Sequence, residues 1–144
     1  MVSDLKVGDV MTKKVIVLNI GETLAKVAKV MQKHSIGSVI VVDEKNRKKA
    51  VGLLTERDIV YKVIAKSKNP YKTKVSAIMS RPLKVVKPET SLEEAARLMK
   101  DNRIKRLPVV NDQHELIGIL SEGDIMRIFP AIVDIIEERT AARE

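Results

Sequence analysis

Apolar positions along this chain change their spacing in a fixed order, and the order occurs twice. A β-branched run, Val15-Ile16-Val17-Leu18, comes first and reads as a strand. Leu24, Val27, Ala28 and Met31 follow at i, i+3, i+4 and i+7, which places one apolar stripe on a helix. Two further apolar runs, residues 39–42 and 50–54, flank a polar segment of hairpin character, and a closing helix is predicted over 56–65. The same succession returns as a run at 83–86, then Leu92, Ala95, Ala96 and Met99, runs at 107–110 and 116–120, and a helix over 122–128. Thr90 with Glu93 has the capping-box pattern that opens the second long helix. Methionines in the two stripes read as core filling.

The two halves also match residue by residue. Val7-Gly8-Asp9-Val10-Met11-Thr12 recurs 68 positions later as Val75-Ser76-Ala77-Ile78-Met79-Ser80, and Leu24, Ala28, Met31, Ile36, Val41 and Val42 meet identical residues at that shift. After a loss of two residues, Gly52-Leu53-Leu54-Thr55-Glu56-Arg57-Asp58-Ile59 aligns with Gly118-Ile119-Leu120-Ser121-Glu122-Gly123-Asp124-Ile125. The expected organisation is a first repeat at 1–65, a polar linker at 66–74, a second repeat at 75–130 and a C-terminal helix at 131–144. That last helix would start at Pro130 and carry Ile132, Ile135 and Ile136 on one face. A unit of about sixty residues buries little surface alone. The predicted fold class is therefore α/β (α+β), with two pseudo-twofold-related β-α-β-β-α repeats packed through their sheets.

Composition narrows the function. The 144 residues include no cysteine, which excludes disulfides, thiolate metal sites and a thiol nucleophile, and His34 and His114 have no metal-ligand spacing around them. No run of eighteen apolar residues and no signal-peptide core occurs, so a cytoplasmic protein with no membrane partner is expected. No glycine-rich phosphate loop and no nucleophile with an evident base is present, and the chain is not expected to be an enzyme. The net charge of +8 favours anionic partners. With Tyr61, Tyr71 and Phe129 as its aromatic residues, the chain has no stacking platform for single-stranded nucleic acid. Arg47-Lys48-Lys49 and the lysines of 66–74 keep duplex nucleic acid or another polyanion as an alternative, one that is not favoured.

Three motif pairs carry a specific resemblance: Val10-Met11-Thr12 with Ile78-Met79-Ser80, Ile36-Gly37-Ser38-Val39 with Ile104-Lys105-Arg106-Leu107-Pro108-Val109, and the two Gly-Leu/Ile-Leu-Thr/Ser-x-x-Asp segments. Over nearly its whole length the chain resembles a tandem CBS (cystathionine β-synthase) domain pair, or Bateman module. The resemblance implies a sensor that binds an adenosine-containing ligand between the repeats, with two potential sites. AMP, ADP and ATP rank first, S-adenosylmethionine and NAD below them, and no catalytic cofactor is implied. It assigns Thr55 and Asp58 to one site, with the backbone around Ile104, and Ser121 and Asp124 to the other. Lys105 and Arg106 would reach phosphates at the Ser121 site, and Ile36, Gly37 and Ser38 would line the base.

The chemistry is compatible: a hydroxyl donates to phosphate and a carboxylate accepts from ribose hydroxyls. The same Thr-x-x-Asp and Ser-x-x-Asp patterns also cap helices. Gly123, opposite Arg57 in the alignment, lowers helix propensity unless a close approach needs the missing side chain. The resemblance further implies a homodimer, and a dimeric interaction module with empty clefts is a second alternative.

Overall fold

The computed structural model describes residues 4–80 and 83–128. The sequence-predicted C-terminal helix at 131–144, with Pro130, lies outside the described residues. A short helix, α1 (Val7–Val10), precedes strand β1 (Val17–Asn19), helix α2 (Leu24–His34) and strands β2 (Ser38–Val42) and β3 (Ala50–Thr55). Helix α3 (Glu56–Asp58) continues as π-helical Ile59–Ile64. The second half contains helix α4 (Leu92–Asn102), strands β4 (Arg106–Val110) and β5 (Leu116–Ser121), and helix α5 (Glu122–Arg127). None of the described helices is long and apolar enough to cross a membrane.

The helices follow their stripes. Leu24, Val27 and Met31 of α2 and Leu92, Ala95 and Met99 of α4 are buried, whereas Ala28 faces outward. Thr23 caps α2 by accepting from the Lys26 amide, and both helices end on a left-handed residue, Ser35 and Arg103. The cap of α4 is Ser91, whose hydroxyl accepts from the Glu94 amide. It is not the expected Thr90, whose hydroxyl instead accepts from the Lys87 amide and tightens the turn before the helix.

In the first half β1 pairs parallel with β2, and β2 antiparallel with β3. In the second half β4 and β5 pair antiparallel, with a register shift at Val109/Val110 that matches the one at Val41/Val42. The third strand expected at 83–86 is reduced to one parallel bridge, Val86 with Val109. Pro108 accounts for this. Its carbonyl accepts from the Val86 amide, so its nitrogen faces the same side and has no hydrogen with which to continue the ladder toward Lys84.

The halves are interlocked through their opening segments. Val7 is buried with Leu92, Ala95 and Leu120 in the core of the second half, while Val75, Ile78 and Met79 are buried with Leu24, Val39 and Leu54 in the first. The carbonyl of Leu5 accepts the first amide of α4, from Leu92, and the carbonyl of Thr73 accepts the first amide of α2, from Leu24. Each exchanged segment thereby satisfies a donor that the other half's helix leaves unpaired. Thr12 pairs with Ile119 and Ser80 with Leu53, so each segment also extends the sheet of the opposite half. Ile40, Val42, Leu53 and Ile119 then form a third buried cluster.

Close approach is allowed by two glycines at equivalent strand positions. A Cβ on Gly52 would lie 2.6 Å from the Met79 sulfur, and one on Gly118 would lie 3.0 Å from both the Met11 sulfur and the Thr12 carbonyl oxygen. The glycine of each Gly-Leu/Ile-Leu motif is where the exchanged methionine seats.

Candidate functional site

The Thr-x-x-Asp and Ser-x-x-Asp segments both form complete capping boxes. Thr55 accepts from the Asp58 amide at 3.2 Å while Asp58 Oδ2 accepts from the Thr55 amide at 2.9 Å; the Ser121 and Asp124 pair does the same at 3.0 and 2.9 Å. Each box holds one carboxylate oxygen and leaves the other for a different partner. On Asp124, Oδ1 accepts from the Thr12 hydroxyl at 3.1 Å and from the Arg127 guanidinium. On Asp58, Oδ1 faces the Lys62 ammonium at 3.1 Å, and Oδ2 takes a second bond from the Thr55 hydroxyl.

The surroundings of the two carboxylates differ. Asp124, only 3% exposed, borders a cavity of about 470 Å³ together with Thr12, Lys14, Ile16, Ile36, Ser38, Arg106, Ile119, Ser121, Gly123 and Arg127. Ser38 is 8% exposed, and among the described residues its hydroxyl has no hydrogen-bond partner. An unsatisfied buried hydroxyl costs about 1–3 kcal/mol, so it is a group a ligand could repay. Ile16 and Ile36 supply an apolar wall, and three cations, Lys14, Arg106 and Arg127, stand against the single carboxylate of Asp124.

A larger cavity of about 940 Å³ adjoins the first, and Ser38, Arg106, Ser121 and Gly123 border both. Gly37, Thr55, Ile104 and Lys105 line the larger one, with Arg57 and Arg103 as further cations and Glu56 and Glu122 as its acids. Val60, Tyr61 and Met126 form an apolar part of its wall, and the Arg57 guanidinium lies 4.8 Å from the centre of the Tyr61 ring. A Cβ on Gly123 would meet only the Ser121 hydroxyl, at 3.7 Å. The missing side chain leaves open space there, whereas the aligned Arg57 projects a long cation at the wall of the same cavity.

The expected residues are thus brought together in part. Ser121, Asp124, Arg106, Ile36 and Ser38 share the smaller cavity as expected; Lys105 and Gly37, placed with them by the resemblance, border the larger one instead. Arg106, the first residue of β4, borders both cavities, and Lys105 just before the strand meets it only in the larger one. Thr55 and Ile104 line the larger cavity, and Asp58 borders neither. Thr12, Lys14, Ile16 and Arg127 were not foreseen. Thr12 stood in a repeated motif, but its bond to Asp124 spans 112 residues, and no local pattern announces such a contact.

Comparison with known proteins bears on the whole arrangement. The family model described as CBS domain matches residues 7–65 and 75–131. An uncharacterized protein of Methanopyrus kandleri is 41% identical over 134 residues, covering 93% of this chain and 67% of that one. The CBS domain-containing protein YhcV of Bacillus subtilis is 38% identical over 119 residues, covering 83% and 81%. Among solved structures, the CBS domain pair of protein MJ0100, in complex with 5′-methylthioadenosine and S-adenosyl-L-methionine, is 30% identical with a TM-score of 0.76, covering 86% of this chain and 98% of that one.

Proposed function

The chain belongs to the CBS-domain family, and from that premise we propose that it is a regulatory module whose smaller cavity takes the adenosine part of AMP, ADP or ATP. The observation that carries the proposal is the joint presence, on one cavity wall, of the buried Asp124 carboxylate and the unpartnered Ser38 hydroxyl. Asp124 Oδ1 would accept from the ribose hydroxyls once Arg127 swings aside, which its 72% exposed side chain permits. The base would lie against Ile16 and Ile36 and satisfy Ser38, and Arg106 and Lys14 would meet the phosphate. Because Arg106 and Ser121 border both cavities, further phosphates of ADP or ATP would extend toward Lys105 and Arg103.

MJ0100 binds two adenosine-bearing ligands, which supports the nucleoside half of the reading. The cationic lining favours an anionic ligand over one with a positive sulfonium. Binding without reaction would regulate by stabilising one packing of the two halves over another, in proportion to the difference in affinity. A cytoplasmic location suits that role.

Arg106→Ala separates phosphate recognition from nucleoside recognition. Loss of a charge-assisted bond worth about 1.5–3 kcal/mol should weaken AMP by roughly 10- to 100-fold. Adenosine should bind the variant as it binds the wild type. Calorimetric titration with both ligands checks this, and equal loss for adenosine would argue against the assignment.

A homodimer belongs to the same proposal. Val60, Tyr61 and Ile64 of the helix after β3 and Met126 of α5 are each more than half exposed, an apolar surface that association would cover. Light scattering should return twice the chain mass; a monomer mass refutes it.

A further inference from the structure

The repeat relates the two clefts, so residues bordering the Asp124 cavity have counterparts on the Asp58 side, and several of the counterparts differ. Ser38 aligns with Arg106, Gly123 with Arg57 and Ile16 with Lys84. Arg106 and Arg127, which border the Asp124 cavity, align in turn with Ser38 and Tyr61, so each side has cations where the other has uncharged groups.

Lys62 sets the two carboxylates apart. Its ammonium lies 3.1 Å from Asp58 Oδ1 and donates to the Ile78 carbonyl at 3.4 Å, tying the helix after β3 to the segment exchanged from the other half. The aligned position in the second repeat is Ile128, which has no charge to offer. Both oxygens of Asp58 are therefore engaged by its own chain, Oδ2 by the Thr55 amide and hydroxyl and Oδ1 by Lys62. Arg127 beside Asp124 differs because it stands on the wall of a cavity, whereas Asp58 borders neither cavity.

We propose that Lys62 serves as a built-in occupant of the Asp58 cleft, so that the chain takes one adenine nucleotide and not two. The inference rests on the Asp124 cavity being a nucleotide site. A ribose at Asp58 would have to displace an ammonium held by both a carboxylate and a backbone carbonyl. A ribose at Asp124 displaces an exposed guanidinium that can follow the phosphate, and shares Oδ1 with the Thr12 hydroxyl.

Calorimetric titration of the full chain with AMP tests this on wild type, Asp58→Asn, Asp124→Asn and Lys62→Ala. Asparagine keeps an oxygen for the capping amide, and Lys62 is 47% exposed, so all should fold, which circular dichroism verifies. One AMP per chain is expected for wild type and for Asp58→Asn, with affinities within about two-fold. Asp124→Asn should lose roughly 10-fold or more, and Lys62→Ala should gain a second, weaker event. Two AMP per wild-type chain, weakened binding in Asp58→Asn, or a single event in Lys62→Ala would each overturn the proposal. Silence of the wild type toward AMP would instead remove the nucleotide reading of the Asp124 cavity, and this inference with it.

Discussion

Gly118→Val is expected to destabilise the protein by about 3 kcal/mol, at the upper end of overpacking costs. The valine Cβ would lie 3.0 Å from the Met11 sulfur and 3.0 Å from the Thr12 carbonyl oxygen. A methionine tip can move aside; the Thr12 carbonyl cannot, because it accepts from the Ile119 amide in the bridge that joins the exchanged segment to β5. Two further methyl groups must then be placed where that segment lies. Relief requires parting the bridge and lifting Met11, which packs against the second core. For a domain of this size the loss corresponds to a fall in melting temperature of roughly 10 °C. A thermal melt within a few degrees of wild type would show that the two halves are not locked at this glycine.

Asp124→Ala carries the second large effect, on binding. The substitution removes the carboxylate proposed to hold the ribose and leaves the Ser121 amide and the Thr12 hydroxyl without their acceptor. AMP affinity should fall by roughly 100-fold or more, the size expected when a charged acceptor of two hydroxyls is lost. Stability should fall as well, by about 1 kcal/mol for the lost cap. Asp58→Ala is the control, since it loses an equivalent cap at Thr55 but no carboxylate on a cavity wall. Calorimetry and a melt on both variants separate the roles: comparable destabilisation, with AMP binding lost only in Asp124→Ala. Equal binding by the two variants would return Asp124 to a purely capping role.

Helices, hairpins and the Thr55 and Ser121 caps were legible in the sequence because each rests on residues a few positions apart, although the cap of α4 falls at Ser91 and not at Thr90. The Leu24 and Leu92 stripes mark buried faces, and the left-handed ends at Ser35 and Arg103 occupy aligned positions. The strand at 83–86 misled because its apolar run is real while its ladder depends on a hydrogen that Pro108, more than twenty residues away, does not have. The exchange of opening segments was hidden for a similar reason. Val7 and Val75 read alike, and nothing near either says which core receives it.

The same applies to the site. Thr55-x-x-Asp58 and Ser121-x-x-Asp124 are equivalent as motifs, and both form the same cap. Their difference is set by neighbours outside the motif, Lys62 on one side and Thr12, Ser38 and Arg106 on the other. Arg106 reaches both cavities and Lys105 only the larger, a difference that two adjacent basic letters do not reveal until the start of β4 is fixed.

Binding of an adenine nucleotide at the Asp124 cavity can be followed residue by residue through backbone amide chemical shifts during titration with AMP. Nucleotide binding there should give saturable shifts at Ile16, Ser38, Ser121, Gly123 and Asp124, with Lys66 to Lys74 undisturbed. Shifts confined to Arg47, Lys48, Lys49 and the 66–74 segment would mark a diffuse basic surface, and that result would contradict binding at the cavity.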